Sequence, residues 1–134
     1  MRRLNLHASA LTDAEYDLYT ASLHDLAEES PPPPSHDDTV DDTDAYYDRL
    51  SVGVREARAW LRGRYAGVAV GDIDAVLRYF HADLGAGDTL SGGQFFAALR
   101  LVVHAEAGKG VDRGLAFVQG AFLGRFLIHS CVGI

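Results

Sequence analysis

Apolar residues recur at helical spacing in four stretches of the chain, and the stretches between them are polar or glycine-rich. In the first, Tyr16, Tyr19, Leu23 and Leu26 share one face behind Thr12-Asp13-Ala14-Glu15, a capping box with Thr12 as N-cap and Glu15 reaching back. This predicts a helix over 12–26. The pattern then collapses from Ala27 to Asp44, where Pro31 to Pro34 and a run of acids replace it; a run so poor in apolar surface is expected to stay solvated and unstructured. Structure is expected to resume at Tyr46, Tyr47 and Leu50. Val52-Gly53-Val54 is a short β-prone piece, and Val54, Ala57, Leu61 and Tyr65 predict a second helix over 54–66, ended near Gly67. Ile73, Val76, Leu77 and Phe80 predict a third over 72–81, capped by Asp72 and closed by His81. A Gly/Asp loop follows. Ser91 and Gln94 form a second capping box, and Phe95, Ala98, Leu99 and Val102 carry a fourth helix over 91–106.

The expectation is an all-α domain of two helix–loop–helix (EF-hand-like) units, with a short two-stranded β pair between the loops that sets Val52 opposite Leu90. Residues 1–10 read as a loose lead-in and 11–118 as the domain, with an acidic Pro-rich insertion at 27–46. Gly108-Lys109-Gly110 breaks the fourth helix, and Val111 to Val118 reads as a short strand or turn. Residues 119–134 form an apolar tail, but Arg125 at its centre makes it a poor membrane span, at a cost of about 2.5–3.5 kcal/mol.

Charge divides the chain. Its net −7 arises from −9 in residues 1–50 and +2 in 51–134, which argues against a nucleic-acid partner. The single cysteine, Cys131, fits a reducing, cytoplasmic setting, and Arg2 and Arg3 are not followed by the apolar region of a secretory signal. Membrane association is expected to be indirect at most.

Candidate chemistry is sparse. Leu90-Ser91-Gly92-Gly93-Gln94 spells the signature of ATP-binding cassette ATPases, where a helix N-terminus meets a phosphate. The partner loop, G-x-x-x-x-G-K-[ST], is missing: the only lysine, Lys109, is followed by Gly110. The six histidines are scattered singly, and no nucleophile stands beside a base. The acids of the insertion read as solvated rather than metal-binding, and Arg55, Arg58, Arg62 and Arg64 as solvated charge. No catalytic residue and no cofactor are expected.

The order of these elements resembles the EH domain, the EF-hand-derived module of endocytic adaptors that binds Asn-Pro-Phe peptides. Leu11-Thr12-x-x-Glu15 is similar to the family's opening helix. Ala82-Asp83, followed by Leu90 to Val102 (LSGGQFFAALRLV), matches its A-D…L-T-x-E-E-F-x-x-A-M-x-L-I in register. The resemblance implies a calcium loop with ligand positions 1, 3, 5, 9 and 12 at Asp83, Gly85, Gly87, Ser91 and Gln94. Two of these carry no side chain and the closing Glu is a neutral amide, so no metal is expected there. The resemblance also implies a peptide pocket between the second and third helices. Leu61 matches the pocket's leucine, Val76 its apolar neighbour, and Phe80 or Tyr79 its tryptophan, with Tyr65 or Tyr79 at the rim. The function it implies is non-enzymatic binding of short turn peptides in endocytosis or vesicle trafficking; the alternative is an EF-hand calcium-binding protein.

Overall fold

The computed structural model of the chain describes residues 4–26, 40–81, 84 and 88–118. It is mostly helical, with one small antiparallel sheet. Helices α1 (Asp13–Leu26), α2 (Val40–Arg49), α3 (Val54–Arg64), α4 (Val70–Arg78) and α5 (Gly92–Glu106) are joined through strands β1 (Ser51–Gly53) and β2 (Thr89–Ser91). Short 3₁₀ turns at Ala8–Ala10 and Arg113–Phe117 flank them. None of the described helices is long and apolar enough to cross a membrane.

The strands pair in the expected register. Val52 faces Leu90, both fully buried, and Val54 N–H closes the pair by donating to the Asp88 carbonyl at 2.8 Å. Both capping boxes form. Glu15 N–H donates to Thr12 Oγ1 and Thr12 N–H returns a bond to Glu15 Oε1; Ser91 and Gln94 do the same for α5. Helix α4 starts two residues before Asp72, and its N-cap, Ala69, makes no side-chain bond. The stretch after α5 is a 3₁₀ turn rather than a strand.

Helix α2 was not expected. The sequence pattern predicts no structure in the acidic run up to Asp44, yet the helix begins at Val40. Its C-terminal half supplies the reason, because Tyr46, Tyr47 and Leu50 are all buried and anchor it. Asp44 adds a lock to the chain's start by accepting from Ser9 N–H at 3.0 Å and Ser9 Oγ–H at 2.9 Å. Residues 27–39 of the run and the tail 119–134 lie outside the described residues. The lead-in is not loose from Leu4 onward. Leu4, Leu6 and Ala8 are buried, and Leu6 N–H donates to the Gly93 carbonyl at 3.0 Å. The first half is therefore α1, then α2 running through Leu50 into β1 and α3, whereas the second half consists of α4, β2 and α5 in that order.

Helix α5 is the axis of the fold. Every residue from Gly92 to His104 is buried except Gln94, the signature of a helix surrounded by others. It packs on α1, α2, α4 and the 113–117 turn. Phe95 meets the Trp60 ring at 6.1 Å and Phe96 the Tyr47 ring at 5.9 Å. Two polar groups interrupt its apolar surface. Arg100 Nε donates to Glu15 Oε2 at 2.9 Å and its Nη2 donates to Oε1, while Nη1 reaches the Ala116 carbonyl at 3.2 Å. Tyr19 Oη also donates to Glu15, at 3.4 Å, and burial pushes that hydroxyl's pKa up. One turn on, His104 Nε2 lies 3.0 Å from the Val118 carbonyl. Arg100 and His104 thereby tie the segment after α5 back onto the helix.

Candidate functional site

An open cleft of about 720 Å³ runs between the lead-in and the end of α4. Leu4 and Asn5 form one wall, Tyr79 and Phe80 another, with Asp48, Ser91, Gln94 and Arg113 around them. The geometry follows from local structure. Helix α4 stops at Arg78, and turn bonds from Tyr79 N–H to Val76 O and from Phe80 N–H to Leu77 O carry the two aromatics off its end. Tyr79 is left 41% exposed, while Phe80 is half-buried against the core.

Of the residues expected to form a peptide pocket, the structure therefore brings Tyr79 and Phe80 together on a cleft. Leu61 and Val76 have no exposed surface and belong to the core. Tyr65 is buried at the end of α3, its ring 6.3 Å from that of Trp60. The space between α3 and α4 is closed by direct packing and bridged on its outer side by Arg58, which grips Asp74 with both Nε and Nη2 at 2.7 Å.

In the expected calcium loop, Asp83, Gly85 and Gly87 lie outside the described residues. Ser91 Oγ and Gln94 Oε1 both accept backbone amides in the capping box, so the bonds that start α5 already engage both oxygens. Among the described residues no group of three His, Cys, Asp or Glu side chains is placed to hold a metal. The ATPase-like motif has a structural explanation too. Gly92 N–H donates to the Leu50 carbonyl at 3.0 Å and Gln94 N–H to Ser91, so these two amides are spent within the fold. A Cβ on Gly92 would overlap the Tyr47 carbonyl, and one on Gly93 would overlap the Asn5 side chain. These glycines serve close packing.

At the polar end of the cleft, His7 Nδ1 lies 3.5 Å from Asp48 Oδ2 and 4.0 Å from Asp44 Oδ2. Burial holds the Asp48 carboxyl above its usual range, opposed by His7 and reinforced by Asp44. Nothing in the sequence marked Asp48 or the lead-in as cleft residues, because the pairing of Leu6 with Gly93 spans most of the chain.

The arginines of α3 are also not all solvated charge. Arg58 and Arg62 share Asp74, Arg62 through Nη2 at 3.5 Å. The bond from Arg58, helped by the charges of Arg62 and Arg78, holds the Asp74 carboxyl below its usual range. A depressed carboxyl stabilises the fold above its unfolded value of 3.8, and that contribution fades as pH falls from there through the folded value. Asp74→Asn is therefore expected to lower stability at pH 7, with the deficit shrinking below pH 3.8 as the native carboxyl protonates. Urea melts of both proteins across that range check it; a deficit that grows on acidification would contradict the assignment.

No family model, no curated protein and no solved structure matches this chain.

Proposed function

We propose that the chain is a non-enzymatic interaction domain of EH type, and that the cleft beside Tyr79 and Phe80 receives short aromatic turn peptides. Asn-Pro-Phe-like motifs of trafficking proteins in the cytoplasm are the natural class. The observation that carries this reading is the exposed Tyr79 beside Phe80 on the cleft, at the position where the resemblance puts the pocket's aromatic. Support for the EF-hand-like frame comes from the sequence of α4, β2 and α5, joined through Val52 and Leu90 to β1 and α3. Helix α2, directly before β1, takes the place of the first unit's entering helix.

The cleft suits weak, local recognition. Its lining is more polar than that of most small-ligand sites: Leu4, Tyr79 and Phe80 supply the apolar contact, and Asn5, Asp48, Ser91, Gln94 and Arg113 offer hydrogen bonds that fix orientation. Burying one aromatic side chain there removes roughly 100 Å² from water, worth about 2.5 kcal/mol at ~25 cal/mol/Å². Association entropy offsets much of this, so a single turn peptide is expected to bind at about 10–1000 μM. A module of that affinity acts through multivalency.

The calcium alternative has less support, since Ser91 and Gln94 are engaged in the capping box. Titration with a turn peptide and, separately, with CaCl₂ distinguishes the two readings. Saturable peptide binding without a calcium response is expected; micromolar calcium binding abolished by Asp83→Ala would reverse the choice.

A further inference from the structure

The outer face of α3 and α4 holds more cationic donors than acceptors. Arg55, Arg58 and Arg62 follow one another at helical spacing along α3, and Arg78 lies one turn beyond Asp74 on α4. Asp74 is the acceptor at their centre. Arg58 occupies both of its oxygens at 2.7 Å, which leaves Arg62 a single 3.5 Å contact. Arg62 Nε has no acceptor among the described residues, although the side chain as a whole is 38% exposed. Arg58 is 33% exposed and Arg78 lies open at the surface. Counting Arg58, Arg62 and Arg78 against Asp74, the cluster carries a surplus of two positive charges on an otherwise acidic protein.

We propose that Arg62, which shares Asp74 with Arg58, and Arg78, one turn beyond Asp74 on α4, form a docking site for a phosphorylated side chain of a partner protein. A phosphate monoester carries about −1.5 to −2 charge at pH 7 and three acceptor oxygens. It matches the surplus in charge and meets the solvent-exposed part of the Arg62 guanidinium together with Arg78, in the paired geometry guanidinium groups favour. A carboxylate of an acidic peptide brings half that charge and one oxygen fewer. An anionic membrane fits less well, because an extended anionic surface opposes the chain's net charge of −7, whereas a single phosphoryl group is felt within a Debye length of about 8 Å. The site lies on a different face from the interhelical packing of Leu61 and Val76 and uses no residue of the Tyr79–Phe80 cleft, so it stands independently of the turn-peptide reading.

The test uses the full chain, ¹⁵N-labelled, with three short peptides of Ala and Gly carrying phosphoserine, serine or glutamate at the centre. The phosphoserine peptide is expected to shift the Arg62 Nε–H resonance and the α3 and α4 amides saturably, with the serine and glutamate peptides at least about tenfold weaker. Arg62→Gln and the surface change Arg78→Gln should each weaken that binding several-fold or more, and Arg49→Gln on α2 should not. The Arg78→Gln arm keeps the test decisive if Arg62→Gln disturbs the fold. Equal responses to phosphoserine and serine, no response to either, or binding that survives both arginine changes would overturn the proposal. Arg62-dependent co-sedimentation with phosphatidylserine-containing vesicles, without a phosphopeptide response, would overturn it in favour of a membrane surface.

Discussion

Arg100→Met is expected to destabilise the protein by about 3–5 kcal/mol, the range for breaking a buried ion pair from one side. The cost comes from what is left behind. Glu15 is fully buried, and without the guanidinium its carboxylate loses the charge that neutralises it, while the Thr12 amide and the Tyr19 hydroxyl still donate to it. The same change frees the Ala116 carbonyl, so amide exchange in the 113–117 turn should accelerate with it. Removing both charges, in Glu15→Gln with Arg100→Met, should recover much of the loss, since a glutamine can still serve the capping box and no charge remains buried. Urea unfolding followed by circular dichroism measures all three variants. A loss below about 1 kcal/mol for Arg100→Met would place the pair among those that contribute little.

A pair of Gly→Ala changes is expected to have opposite signs. Gly63 lies within α3 with open space where a Cβ would go, so Gly63→Ala should stabilise by about 0.5–1 kcal/mol through helix propensity. Gly92 also lies within a helix, yet its Cβ would run into the Tyr47 carbonyl and come within 3.1 Å of Leu23 Cδ2. A backbone carbonyl cannot step aside without moving α2. Gly92→Ala should therefore cost about 1–3 kcal/mol, as overpacking does. Thermal melts of the two variants read the sign directly; stabilisation by Gly92→Ala would mean that α2 does not press on the start of α5.

The contrast between these glycines marks where the sequence was readable. Local chemistry was legible: both capping boxes, four of the helices and the register of Val52 with Leu90 are written within short windows of residues. Helix α2 was not, because its own residues are acidic and its stability comes from Tyr46, Tyr47 and Leu50 reaching a core built by the rest of the chain. The partners of Glu15 and Asp74 were hidden for the same reason, lying 85 and 16 residues away. Leu11-Thr12-x-x-Glu15 announced a cap, and nothing in it announced that the same carboxylate would also receive Arg100. The candidate site was half legible: Tyr79 and Phe80 could be singled out, but the wall opposite them is the lead-in, which only the tertiary fold brings across.

The account rests on that cleft, and the most direct measurement is a ¹⁵N NMR titration of the protein with an Asn-Pro-Phe turn peptide, repeated on Tyr79→Ala. Because Tyr79 is exposed, the variant should keep its fold. The predicted result is saturable shifts at Tyr79, Phe80, Ser91, Gln94 and the lead-in around Leu4 and Asn5, in the range of about 10–1000 μM, and their loss in Tyr79→Ala. No shift at millimolar peptide, or shifts confined to residues away from the cleft, would contradict it.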